Sequence, residues 1–151
     1  MRTPGAAETE RLGRAVGAVL DVGDVVLLRG DLGAGKTTFV RGVARALGVR
    51  DHVTSPSFTV AQRYEGRVPV AHLDAYRLGD VDDEEAGLYL AEMAGAVVLI
   101  EWPDALGGVV GTPTLVVDIA HGGGDERLLA FEVVDDRRRA AIQDAIDHAL
   151  V

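Results

Sequence analysis

The sequence predicts an α/β fold built on a mixed parallel and antiparallel sheet. Three observations carry that prediction. Apolar strand candidates alternate along the chain with segments of helical periodicity. Two pairs of strand candidates are joined by short turns, at Glu65-Gly66 and in "HGGGDE" from His121, which is the pattern of antiparallel hairpins. One further strand candidate runs through a glycine-rich loop directly into a helix.

Taken in order, Leu12, Val16, Val19 and Leu20 recur on one face and predict a helix from about Glu8 to Leu20. Gly23 breaks it, and "DVVLLR" (Asp24 to Arg29) reads as a short buried strand. After the glycine loop, Phe39, Val40, Val43, Ala44 and Leu47 form a second helical stripe, stopped by Gly48 as a C-cap. "SFTVAQRY" and "RVPVAHLD" read as a hairpin, with Pro69 placing the second strand at an edge or delaying its start. The acidic run "DVDDEE" (Asp80 to Glu85) precedes Ala86, Leu88 and Leu90. It reads as a helix N-terminus, where free N–H groups favour carboxylates, in preference to a metal site. "AVVLIE" (Ala96 to Glu101) is the most apolar strand candidate. "PTLVVDIA" and "RLLAFEVV" form the second hairpin. Asp136 to Leu150 is the last helix, with Ile142, Ile146 and Leu150 inward.

With 151 residues the chain is long enough for one domain, 1–151, with a real core. It contains no cysteine, so disulfides and thiolate metal sites are excluded. No apolar run approaches the roughly 18 residues of a membrane span, and the N-terminus lacks an apolar signal segment, so a cytoplasmic location is expected. A formal charge of −9 argues against gripping RNA or DNA unaided, because phosphate contacts dominate such affinity.

The glycine loop carries the chemistry. Gly30-Asp31-Leu32-Gly33-Ala34-Gly35-Lys36-Thr37 fits G-x-x-x-x-G-K-[ST] at every fixed position, and it lies between a strand and a helix as the mechanism requires. Glycines let the backbone curl so that N–H groups face phosphate oxygens, and the helix adds the positive end of its dipole. Asp31, Gly33, Ala34, Gly35, Lys36, Thr37 and Thr38 are the expected nucleotide-binding residues of this segment. Lys36 reaches the β- and γ-phosphates, and the Thr37 hydroxyl holds Mg²⁺. Lys36 is also the only lysine in a chain whose other basic residues are arginines. A compact ammonium on a flexible stem fits inside the loop where a planar guanidinium does not.

Guanine readers use Asn-Lys-x-Asp, and this chain has neither asparagine nor a second lysine, so adenine is expected. A D-x-x-G match at Asp104 to Gly107 starts past the strand end and is read as chance. The metal carboxylate should end an apolar strand beside the loop. Glu101 and Asp74 compete, and the wholly apolar strand before Glu101 favours it. Asp74 could orient the attacking water or hold the metal through water, with a structural cap as the alternative. His72 reads as a buried, hydrogen-bonded residue, with assistance at the site as the alternative. Thr54, Ser55 and Ser57 around Pro56 could sense the γ-phosphate as a switch, or simply form a turn.

Together "ETERLG", "GDLGAGKTTF", "VTSPSFTV", "HLDAYRL" and "LIEWPD" resemble the TsaE family, also called YjeE, in order and approximate spacing. Ser57 departs from the threonine more usual there, but the hydroxyl is kept. The resemblance implies a P-loop NTPase-like three-layer fold that binds ATP, with Thr37 and Glu101 ligating Mg²⁺. It implies that Thr9 lies near the nucleotide at the start of the first helix, and that Arg127 from the last hairpin reaches it from the other side. It also implies two partners, TsaD and TsaB. TsaD transfers a threonylcarbamoyl group to the adenosine beside the anticodon of tRNAs reading ANN codons, and the TsaE ATPase permits further turnover, with indirect tRNA contact. In that picture Trp102, Ser55 and Ser57 belong to a partner-facing or nucleotide-responsive surface; for Trp102 the alternative is packing beside the site.

Three functions are therefore separable. The first is an ATPase that is feeble alone and coupled to a protein complex. The second is a small-molecule kinase, which needs a mobile arginine-rich lid. The only arginine cluster, Arg137 to Arg139, reads more simply as a solvated face of the last helix. The third is an adaptor that binds ATP with negligible hydrolysis.

Overall fold

A strand that is apolar on both faces has to lie between two covering layers. The computed structural model describes residues 1–31, 33–54, 61–75, 82–102 and 110–150. Its strands are β1 (Arg2–Thr3), β2 (Val25–Arg29), β3 (Ala61–Tyr64), β4 (Val70–Asp74), β5 (Val97–Glu101), β6 (Leu115–Gly123) and β7 (Glu126–Val133). The described helices are α1 (Ala6–Gly17), α2 (Lys36–Ala46), α3 (Asp83–Met93) and α4 (Arg139–His148). The strands form one sheet in the order β1-β7-β6-β2-β5-β4-β3. The inner block β6, β2, β5 and β4 is parallel, and β7 and β3 are added antiparallel as the predicted hairpins. The mixed α/β sheet is thus as the sequence predicts.

Period-two alternation sorts the inner strands into two cores. Val97 and Leu99 of β5 join Leu12 and Val16 of α1, Phe39 and Val43 of α2, and Ile142 and Ile146 of α4. Val98 and Ile100 face the opposite way with Ala71 and Leu73, against Tyr89 and Met93 of α3. Three layers result. No described helix is long and apolar enough to cross a membrane.

Local signals explain most boundaries. After α2, Gly48 at φ 83° lets the Val49 N–H reach the Ala44 carbonyl at 3.0 Å and the Gly48 N–H reach Arg45 at 3.1 Å. That pair of bonds closes the helix in a Schellman motif. The Asp82 side chain caps α3 by accepting from the Glu85 N–H at 2.8 Å, as its acidic start predicts; Asp80 lies outside the described residues. Pro69 delays β4 and does not mark an edge, since β4 lies between β5 and β3.

Three expectations need correction. β1 was not anticipated; two residues are too few for periodicity, and antiparallel pairing with β7 is what makes them a strand. The last helix starts at Arg139, not Asp136, because the Asp135 carboxylate accepts from the Arg137 N–H at 3.0 Å and fixes a turn there. Arg138 does not share the solvated face of Arg137 and Arg139. Its guanidinium donates to the Val19 carbonyl and to Asp24 at 3.1 Å, tying the start of α4 to the start of β2.

Candidate functional site

Parallel strands end on the same edge of a sheet, and ligands of open α/β sheets sit beyond their carboxyl ends. Here β2 runs into the glycine loop, β4 ends at Asp74 and β5 ends at Glu101. The registers Leu28 to Glu101 and Asp74 to Glu101 bring these three ends level. The pleat adds direction. Glu101 follows Val97 and Leu99 on the face that α1 and α2 cover, and Asp74 follows Val70 on the same face. Both carboxylates consequently line one cleft of about 340 Å³ with Gly33, Gly35, Lys36, Thr37 and Thr38 of the loop.

The loop is held open at the start of α2. Gly35 is the N-cap at φ 105°, a left-handed conformation that a side chain would strain, and no side chain caps the helix. The first-turn N–H groups and the dipole of α2 are thereby left for an anion. Lys36 is only 4% exposed. Its ammonium donates to the carbonyls of Gly30 at 2.5 Å and Asp31 at 2.9 Å, and lies 4.2 Å from the centre of the Trp102 ring. Burial lowers the pKa of Lys36, while the carboxylates of Glu101, Asp74 and Asp31 pull it back up. The loop therefore holds a cation in a partly dry setting, where its charge acts strongly.

Glu101 is 3% exposed and accepts a hydrogen bond from Nε2 of His72 at 2.6 Å. His72 is thus buried and hydrogen-bonded, with Glu101 as its partner. Trp102 sits at φ 55°, unusual for a bulky residue, and its N–H donates to the Leu28 carbonyl at 3.2 Å. This bend comes directly after the carboxylate and sets the Trp102 ring over the Lys36 ammonium.

The opposite wall comes from the N-terminus and the last hairpin. Thr9 lines the cleft from α1, with its hydroxyl 2.7 Å from that of Thr3 and 3.2 Å from the Gly5 carbonyl. Arg127 lines it from β7; its guanidinium donates to Gly124 and Glu126 at 2.9 Å and to the Gly33 carbonyl at 3.4 Å. Two of the expected nucleotide-binding residues of the loop lie outside the lining. Asp31 is exposed and offers Lys36 its carbonyl, and Ala34 is buried in the core with its N–H on the Asp31 carbonyl at 3.1 Å. Ser55, Ser57 and the D-x-x-G match at Asp104 lie outside the described residues. Ala6 and Asp125 line the cleft without having been singled out. Nothing local marks Ala6, and Asp125 reads in sequence only as part of a turn.

Mg²⁺ takes one or two protein oxygens and completes its shell with water and phosphate oxygens. The Thr37 hydroxyl and the Glu101 carboxylate share the cleft and fit that small donor set. No group of three or more Asp, Glu or His suited to a metal occurs among the described residues. A cation here would depend on phosphate oxygens.

A mixed sheet with a strand–glycine loop–helix unit at its carboxyl edge defines a P-loop NTPase-like fold. The model of the family described as threonylcarbamoyl adenosine biosynthesis protein TsaE matches residues 3–129. The chain belongs to the TsaE family and so to tRNA threonylcarbamoyladenosine biosynthesis. It is 36% identical over 148 residues to the tRNA threonylcarbamoyladenosine biosynthesis protein TsaE of Bacillus subtilis, covering 97% of this chain and 93% of that one. It is 44% identical over 95 residues to the Streptomyces coelicolor TsaE, covering 60% and 64%. The crystal structure of YdiB from Bacillus subtilis superposes with a TM-score of 0.81 at 33% identity, covering 98% of this chain and 93% of that chain.

Proposed function

We propose that the cleft binds ATP with Mg²⁺ and that the chain hydrolyses it, feebly alone and faster with partners. The service is to a TsaD–TsaB pair that transfers a threonylcarbamoyl group to the adenosine beside the anticodon of tRNAs reading ANN codons. One observation carries the proposal: Lys36 and Thr37 of the loop share a cleft with the strand-end carboxylates Glu101 and Asp74. Lys36 and the N–H groups of α2 hold the phosphates, and Arg127 closes the site from β7. Thr37 and Glu101 would hold the metal, which would neutralise phosphate charge when bound. Asp74 orients the attacking water in this reading, supported by its position level with Glu101.

A small-molecule kinase fits less well. Arg138 is fastened to Asp24, at the end of β2 remote from the loop, so that arginine cluster is no lid for the cleft. The proposal is tested by titrating ATP with Mg²⁺ into the protein in a calorimeter. The wild type should saturate. Lys36→Ala should bind on the order of 30-fold more weakly or worse, since each charge-assisted bond contributes about 1.5–3 kcal/mol, with an unchanged circular dichroism spectrum. Undiminished affinity in Lys36→Ala would remove the loop from the site.

A further inference from the structure

His72 is fully buried and has no place among the cleft-lining residues, yet it touches the group on which the metal depends. It faces Leu99 of β5 in register, and Glu101 follows on the same face. Its Nε2 is 2.6 Å from Glu101 Oε2. A carboxylate only accepts, so Nε2 carries the proton and donates. The other ring nitrogen, Nδ1, is buried with no hydrogen-bond partner. An apolar side chain would fill the space without that deficit, so packing alone does not account for the ring. What the ring supplies is the bond at Nε2.

Glu101 has a strong competitor for its attention. Of the carboxylates that bear on Lys36, Glu101 exerts the largest pull. A glutamate with three rotatable bonds and no restraint can swing to that ammonium. The resulting ion pair would consume the cation meant for phosphate and the anion meant for the metal. With Oε2 tied back by His72, Oε1 is the oxygen left for the cleft.

We infer that His72 is a positioning residue that holds Glu101 away from Lys36 and keeps its free oxygen available to Mg²⁺ beside Thr37. This rests on the reading of Glu101 as the metal carboxylate. Hydrogen-bond partners of metal ligands typically affect metal affinity by about 10- to 100-fold, which sets the expected size.

The test is a Mn²⁺ titration, followed by electron paramagnetic resonance, of protein saturated with a non-hydrolysable ATP analogue. His72→Gln places an amide donor about where Nε2 lies, whereas the shorter His72→Asn cannot reach Glu101. His72→Asn should weaken Mn²⁺ binding about tenfold or more, and His72→Gln should stay close to the wild type. Metal-free binding of the analogue should weaken in His72→Asn alone, because the released Glu101 then competes with phosphate for Lys36, and the melting temperatures of the two variants should be the same. Wild-type Mn²⁺ affinity in His72→Asn overturns the inference, as does a parallel loss of Mn²⁺ affinity and melting temperature in both variants. Glu101→Ala separates the two levels. If it loses Mn²⁺ while His72→Asn does not, only the role of His72 falls; if it retains Mn²⁺, the metal carboxylate is misassigned and the inference falls with it.

Discussion

Trp102 bends at φ 55° and lays its ring over the Lys36 ammonium at 4.2 Å. Such a backbone conformation costs about 1–3 kcal/mol, and a cation over an indole returns about 0.5–2 kcal/mol. The arrangement fits a lysine resting on aromatic and carbonyl groups until a phosphate draws it away. Trp102 is the only tryptophan in the chain, so its emission reports on this contact without background. Adding ATP should change that emission saturably, and Lys36→Ala should lack the response; an unchanged spectrum at saturating ATP would mean that Lys36 does not move. The two carboxylates are separable in the same way. Glu101→Ala should abolish the Mg²⁺-dependent gain in ATP affinity, whereas Asp74→Ala should slow turnover with that gain retained; the reverse pattern in a calorimetric titration means the roles are exchanged. Lys36, Thr37 and Glu101 were legible in sequence because loop pattern and strand end are local. Thr9 and Arg127 were not readable from local pattern, since they reach the cleft only through β1, β7 and α1, and it was the family resemblance that pointed to them.

Among the elements, α1 and α2 pack so closely that glycine is required at the contact. A Cβ on Gly42 would lie 2.1 Å from the Glu10 carbonyl oxygen, and one on Gly13 would lie 2.3 Å from that of Phe39. Helix propensity favours alanine at Gly42 by about 1 kcal/mol, but overpacking against backbone costs about 1–3 kcal/mol or more. Sterics should win. Gly42→Ala should lower the melting temperature by roughly 3–10 °C, and an unchanged or higher value would refute the close approach. Both hairpins and the four described helices were legible, because pleat alternation, Pro69, Gly48 and Asp82 act over a few residues. β1 and the late start of α4 were not. The first exists only by pairing with β7, and the second depends on an Asp135 turn and on Arg138 reaching Asp24 across the fold.

For the molecule as a whole, four parallel strands bring the loop and both carboxylates to one edge of the sheet. A charge of −9 makes a protein assembly a better destination than bare RNA. Under the proposed function, ATP is hydrolysed in this cleft and the hydrolysis serves a partner complex. Steady-state ATP turnover tests it most directly, measured for the chain alone, with the TsaD–TsaB pair, and with a panel of small hydroxyl acceptors. Phosphate release should be slow for the chain alone, accelerated by the pair and lost in Lys36→Ala under both conditions, with no phosphorylated acceptor. A phosphorylated acceptor with no partner effect would contradict the proposed function, and so would turnover that stays at zero with both partners present.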